Sequence, residues 1–503
     1  MNMIQQPVPA PHDFLSPSLQ QLQDLVRQAA QQGTPLHETE LLIWQQIQLI
    51  GRHTMFQFLS LLGTGDLGPT VTLPNGQTCE RLPELHSRRY LSIFGEFQLE
   101  RTVYGSREGQ KIEFVPLDNR LQLPASVFSY VLQDWDQNFC VEMAYGTASH
   151  TVARILGLKQ SVDSLEQMTL QMAEPMTDFR ESRPQPEPNS EGALLVSSAD
   201  GKGIVMRRQA GEVAPPAHRT KGDKASQKRM AIVGAVYTVD PYERTAEEVV
   251  AALFGEHQDK PPRRPAPCHK RVWASLSYED EDGENHSGIE EVYGWLQGEV
   301  LERNGKGTKP MIHIGDGQET LWEARAAYLP DGNLTEILDL LHVTPRLWQA
   351  AHLFSGEKSR EAEVFVRERL LRILQGQGEG VIRGLREMGT KRGLKGQKKK
   401  KLKVICGYLE KNRERMRYDE YLEKGYPIAS GVIEGACRHL VKDRMERAGM
   451  HWTVRGAQAM LDVRSTCLNG DWEEYQAYRI EEETKRLYPW RSLVEGPQFD
   501  LAV

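Results

Sequence analysis

The 503-residue chain predicts a multidomain α+β / α/β protein: a mixed-sheet core interrupted by an all-helical block and preceded by helical and small β units. The chain is too long for one ordinary core. Strand-like apolar runs alternate with helical patterns between residues 194 and 355, and residues 356–424 read almost wholly helical and highly charged.

Residues 1–70 begin with a polar Gln- and Pro-rich tail. Leu19, Leu22, Leu25 and Val26 then recur at helical spacing, and a second helix is expected over Glu38–Leu62. Residues 71–125 change to short alternating runs, with Asn75-Gly76 as a hairpin turn, and read as a small β unit. Residues 126–180 are helical again. Ala148–Leu156, the Gly157 turn and an N-cap at Ser161 make a candidate DNA-binding helix-turn-helix, although many helical hairpins share that pattern and never touch DNA. Pro184, Pro186 and Pro188 mark residues 181–193 as a linker.

The core opens with an apolar run read as a strand ending at Asp200, stopped by Gly201 and Gly203. An aspartate after a strand is more often a turn or cap than a ligand, so Asp200 gains weight only from its company. Met230–Val239 and Arg271–Ser277 follow as strands without an intervening helix, which implies an antiparallel meander. Helix Gly288–Glu302, strand Met311–Ile314 ending at Gly315-Asp316-Gly317, helix Glu319–Tyr328 and strand Leu334–Leu340 complete residues 194–355, with a helix over Pro345–Phe354. The order β-β-β-α-β-α-β is that of an RNase H-like sheet. A right-handed crossover makes the fourth strand parallel to the first, so Asp200 and Asp316 should lie side by side although 116 residues apart. Residues 356–424 then read as a helical insertion. Residues 425–470 carry the second part of the core, with Ser430 capping a helix to about Arg447 and Glu434 in its first turn, and residues 471–503 read as a C-terminal tail.

Net charge is −7, which by itself disfavours a nucleic-acid partner, yet Lys391–Lys403 holds eight Lys or Arg and no acid. Arg207–Arg229 and Lys260–Arg271 are also basic, while acid gathers in Glu279–Glu284. Such asymmetry favours a local anionic partner. Six scattered cysteines without a C-x-x-C pair argue against a disulfide framework or zinc knuckle and fit a reducing cytoplasm. No apolar run reaches membrane-spanning length and no signal-peptide core is present, so a soluble cytoplasmic protein is expected.

Asp200, Asp316 and Glu434 have comparable settings at element ends, and such a carboxylate set suits two divalent cations. Phosphoryl transfer on DNA must stabilise charge on attacking and leaving oxygens, which two Mg²⁺ ions about 4 Å apart do. Asp200 would bridge the ions, while Asp316 and Glu434 would each hold one.

Asp200-Gly-Lys-Gly, Gly315-Asp316-Gly-Gln, Asp339-Leu-Leu-His342 and Gly-Val-Ile-Glu434-Gly, in that order, resemble bacterial insertion-sequence DDE transposases of the ISKra-type group. So do Lys228-Arg-Met-Ala-Ile-Val-Gly-Ala-Val-Tyr, His269-Lys-Arg-Val-Trp-Ala-Ser-Leu and Arg438-His-Leu-Val-Lys-Asp-Arg-Met, extending the resemblance over residues 195–465. It implies metal-dependent cleavage at the element's ends and attack of the freed 3′-hydroxyl on target DNA. The cofactor would be Mg²⁺, with Mn²⁺ as substitute and no nucleotide. The partners would be terminal-repeat and target DNA, held by a dimer or higher oligomer, with no membrane. Asp339 and His342 resemble a (C/D)-x-x-H motif, and serve either structural support or DNA; a bare i, i+3 pair also reads as a mutual hydrogen bond or cap. Glu434 and Arg438, read alone, are an i, i+4 pair worth ~0.2–0.5 kcal/mol at a helix start.

Lys202, Arg438, Lys442, Arg444, Arg447 and Trp452 are candidate DNA contacts, as are Lys398, Lys399, Lys400 and Lys401, although solvated helix faces explain such charges equally well. Members of the group often carry a cysteine-rich zinc element in the N-terminal half; around Tyr104-Gly-Ser-Arg-Glu-Gly this chain has no cysteine. A domesticated, inactive DNA-binding protein and an RNase H-fold nuclease stand as alternatives.

Overall fold

The computed structural model describes residues 15–105, 112–207, 228–256, 264–279, 284–447 and 449–495. The polar opening to residue 14, the basic residues 208–227 and 260–263, the acidic residues 280–283 and most of the segment after Tyr104 lie outside the described residues. Contacts divide the chain into two units, Met1–Pro175 with Glu473–Val503, and Met176–Trp472.

In the first unit, α1 (Leu15–Gln32) and α2 (Leu36–Leu61) form a helical hairpin turned at Gly33, whose φ of +63° suits glycine. Strands β1 (Thr70–Thr72), β2 (Thr78–Arg81), β5 (Tyr104–Gly105) and β6 (Ile112–Phe114) make one antiparallel sheet. Between β2 and β5, β3 (His86–Ser92) and β4 (Gly95–Arg101) form a separate hairpin. Helices α3 (Pro116–Leu121), α4 (Tyr130–Glu142), α5 (Tyr145–Leu156) and α6 (Val162–Ala173) follow. Gly157 ends α5 at φ +71°, and the Ser161 hydroxyl accepts from Ser164 N–H to begin α6. The stretch read as a C-terminal tail forms a helix, Trp472–Leu487, that belongs to this unit from Glu473 onward. Tyr475 donates to the Met172 carbonyl, and Arg479 to Gln133 at 3.0 Å.

The second unit begins with α7 (Met176–Ser182). Its sheet contains β7 (Leu194–Val205) and β8 (Lys228–Val239), then, after α8 (Ala246–Leu253), β9 (Cys268–Leu276). A short hairpin of β10 (Tyr278–Glu279) and β11 (Asn285–His286) leads to α9 (Gly288–Asn304), β12 (Met311–Gly315), α10 (Glu319–Tyr328) and β13 (Leu334–Leu338). The five-stranded order is β13-β12-β7-β8-β9. β7, β8 and β9 are antiparallel in succession, whereas β12 runs parallel to β7 and to β13.

Both faces are covered. Leu194, Val196, Ile312 and Ile314 pack with α11 (Leu340–Ala351), α12 (Arg360–Leu374), α13 (Gly378–Lys391), α14 (Gly396–Lys411) and α15 (Tyr418–Glu423). Leu195, Ala199 and Met311 pack with α9 and α10 on the other face. This is the period-two separation a strand imposes.

Three local expectations are corrected. β7 does not end at Asp200: it pairs with β8 without a break to Val205, because Gly201 and Gly203 give room to Met230 and Lys228 on β8, whose side chains lie 2.9 and 3.1 Å from where a Cβ would stand. The meander contains α8, started by a capping box between Thr245 and Glu248. Finally, α11 begins at Leu340 and takes Pro345 inside it, because Asp339 caps it through Leu341 N–H at 2.9 Å.

Candidate active site

The register of β7 and β12 brings two of the predicted carboxylates together. Ile314 lies opposite Ser198 in the parallel pair, and two residues further along each chain stand Asp316, just past the end of β12, and Asp200 within β7. Even-numbered β7 and β12 residues face the helices α11–α15, so both aspartates share that side. Asp200 is half-buried and accepts from Gly201 N–H at 2.7 Å. Burial pushes its carboxyl pKa up, and the Asp316 charge pushes it further in the same direction.

The turn carrying Asp316 is braced from α14. Tyr408 donates its hydroxyl hydrogen to the Asp316 backbone carbonyl at 2.7 Å, and a Cβ at Gly317 would stand 2.9 Å from the Tyr408 ring. Gly317 also has φ +91°, so this turn needs glycine twice over. Gln318 N–H donates to Asp316 Oδ1 at 2.8 Å, a short Asx turn.

Glu434 stands on α16 (Gly431–Ala436), which passes directly into a π-helical turn, Cys437–Lys442. The expected continuous α-helix to Arg447 is therefore broken, and Ser430 makes no side-chain cap. Its hydroxyl donates to Asp339 instead. Such π segments place extra residues within a helix and recur at functional sites. Here the segment sets the buried Cys437 thiol 3.6 Å from Asp200 Oδ2. Burial, with the neighbouring Asp200 charge, keeps that thiol protonated far above its usual range. No sequence signal marked Cys437.

Asp339 is wholly buried and saturated. One oxygen accepts from Leu341 N–H and Ser430 N–H, the other from His342 Nδ1 at 3.0 Å and the Ser430 hydroxyl. That fixes His342 with Nε2 toward Glu434, 3.8 Å from Oε1. The hydrogen bond to Asp339 raises the His342 pKa, and the charges of Asp339, Asp316 and Asp200 add to the effect against the opposing cost of burial.

Among the described residues, ligand atoms of Asp339, His342 and Glu434 lie within 4.8 Å of one another, a geometry able to hold a metal ion. The hydrogen bonding argues for a division of labour. A carboxylate has about four lone-pair sites, and those of Asp339 are taken, so Asp339 orients His342 while Nε2 and Glu434 keep free electron pairs. Asp200, Asp316 and Glu434 have no lysine or arginine ion pair among the described residues. Their donor set of hard oxygens without counter-charge fits a divalent cation.

The predicted DNA contacts fall into two groups. Arg438, Lys442 and Arg447 are exposed, as are Lys398, Lys399, Lys400 and Lys401 on the first turns of α14. Lys202 is half-buried near Glu446, its ammonium 3.9 Å from the carboxylate. Arg444 and Trp452 instead point inward: Arg444 is 1% exposed and stacks over the Trp452 ring at 5.0 Å, and Trp452 Nε1 donates to the Met445 carbonyl. As placed, they support the segment from within. In the helix-turn-helix candidate, α6 carries Asp163 and Glu166 and no Lys or Arg, a poor charge for a helix seated against phosphates. No helix among the described residues is long and apolar enough to cross a membrane.

No family model and no curated protein matches the chain. Among solved structures, it is similar to the Drosophila P element transposase strand transfer complex, with 10% sequence identity and a TM-score of 0.24, covering 76% of this chain and 92% of that one.

Proposed function

We propose that the protein is a DDE transposase with an RNase H-like core, resembling the ISKra-type group, that cleaves at insertion-sequence ends and joins the freed 3′-hydroxyl to target DNA. One observation carries this reading: Asp200 and Asp316 come from adjacent parallel strands, the strand of Asp200 packs against the Glu434 helix, and the three acids have no lysine or arginine partner among the described residues. Divalent cations held by these residues, two Mg²⁺ or Mn²⁺ ions in this reading, supply charge stabilisation for attack and departure at phosphorus.

The protein's own groups position that chemistry. Tyr408 holds the backbone of Asp316, and Asp339 fixes His342 with its Nε2 facing Glu434. Lys202, Arg438, Lys442 and Arg447 grip phosphates near the carboxylates, whereas Lys398–Lys401 attract the DNA backbone without regard to sequence. Residues 356–424 act as a helical insertion, and a dimer holds the two ends. Arg444 and Trp452 brace the basic segment.

The test is strand transfer of a labelled, pre-cut element end into plasmid with Mg²⁺ or Mn²⁺, comparing the natural protein with Asp200→Ala, Asp316→Ala and Glu434→Ala. Joining by the natural protein, lost in each variant while DNA binding persists, is the expected result. Cutting without joining would identify a nuclease, and binding with neither reaction would identify a domesticated binding protein.

A further inference from the structure

The α1–α2 hairpin leaves an unusual amount of apolar surface uncovered. α2 is 26 residues long and contains no buried residue. Leu36, Ile47 and Phe58 are 83, 44 and 49% exposed, and they stand eleven residues apart. Eleven residues are close to three full helical turns, so the three side chains line one stripe along the helix. Leu61 extends the stripe, and on α1 the exposed Leu19 and Val26 stand seven residues apart, another helical repeat. The inner sides are engaged separately. Ser18 bonds His53 between the two helices at 2.7 Å, while Met55, Phe56 and Leu59 pack with Phe97 and Leu99. The stripe is therefore additional to the hairpin's own packing.

We infer that this face is a self-association surface, on which the hairpin of a second copy of the chain packs to complete a four-helix bundle. Three features select a second copy. First, the hairpin is nearly neutral: Asp24, Glu38 and Glu40 oppose Arg27 and Arg52, and glutamines such as Gln45 and Gln48 supply much of the remaining polar surface. Two identical faces of this kind meet without charge repulsion, as a two-fold interface requires. Nucleic acid would instead demand a basic face. Second, a hairpin about 39 Å long and about 20 Å across offers a footprint of about 800 Å² per partner, the size of a standard stable interface. Third, a two-helix layer cannot bury both of its sides, and pairing with an equivalent layer is the helical-bundle solution.

Self-association of this kind is independent of the proposed chemistry. Its test is the mass of the full-length natural protein in solution without DNA, by sedimentation equilibrium at micromolar concentration, alongside Ile47→Glu/Phe58→Glu. The natural protein should have twice the 57.1 kDa chain mass. That mass should persist in molar salt, and the double variant should weaken association at least 100-fold with an unchanged circular dichroism spectrum. Ile47→Cys provides a milder probe: a short bismaleimide should give a covalent dimer linked between the two copies of position 47. A monomeric natural protein overturns the inference, as does a dimer indifferent to the double variant. Cross-linking of position 47 only within one chain would show that the chain covers its own stripe, and overturns it as well.

Discussion

Asp339 and Asp200 lie in the same unit, and they are treated oppositely. Asp339 is fully buried yet satisfied by two backbone N–H groups, a serine hydroxyl and a histidine. Asp200 is less buried but, among the described residues, has only the Gly201 N–H and a weakly donating thiol, so its ionised form is disfavoured. A carboxylate supplied with donors holds structure together, whereas one left short of them keeps its electron pairs for something else.

The contrast predicts opposite responses to substitution. Asp200→Asn should abolish strand transfer, by about 10³-fold or more if several kcal/mol of cation-dependent stabilisation is lost, while leaving the thermal midpoint unchanged or higher. Activity measured beside calorimetry checks both halves, and a destabilised Asp200→Asn protein would break the contrast. Asp339→Ala should do the reverse, costing about 3–5 kcal/mol in denaturant unfolding because it strands Ser430 and leaves His342 without its partner. A stability loss below about 1 kcal/mol would show that the donors around Asp339 find other partners.

Asp136, in the first unit, sharpens the comparison. It is fully buried, accepts one hydrogen bond from Gln160 at 3.0 Å, and among the described residues leaves Oδ2 unpartnered. Burial pushes its pKa up to about 7. Because the folded-state pKa is raised, the unfolded chain releases this proton first, and stability falls as pH rises from about 4 to 7. Asp136→Asn should therefore stabilise the protein by about 4 kcal/mol at pH 8, with the advantage closing near pH 4. Midpoints across that range decide the matter, and a constant advantage would assign the effect to packing.

The smallest expected effect is Ser430→Ala, which removes one of four donors to Asp339 and should cost about 1 kcal/mol. It should alter strand transfer less than twofold if His342 keeps its orientation. A larger loss of joining than of stability would make Ser430 part of the positioning of His342.

Much of the sheet was legible because strand order depends on coarse signals. Apolar runs, glycine punctuation and crossover handedness suffice to set β12 parallel to β7, and hence Asp316 beside Asp200. Details governed by tertiary competition were not. Gly201 and Gly203 have the composition of a strand stop, but they accommodate side chains of β8. Ser430 has the composition of a cap, yet a buried carboxylate 91 residues away claims its hydroxyl. Arg444 and Trp452 looked like surface groups because sequence cannot reveal which side of an irregular helix turns inward, and the π segment ending at Lys442 reorients the residues after it. The capping box at Thr245 and Glu248, by contrast, is a local signal that the sequence itself carries.

The joint between Asp339 and Ser430 has a practical consequence for protein engineering. With Leu340 N–H donating to the Ile428 carbonyl at 3.0 Å, the helical excursion between these residues begins and ends at nearly one point. Closing a longer loop costs only about 0.6 kcal/mol for each doubling of length, so cargo added within that excursion places little strain on its roots. The exposed turn at Gly393, with φ +62°, is the natural docking port for a reporter tag. A fluorescent module grafted there would ride on the helices while the carboxylates beneath keep their spacing.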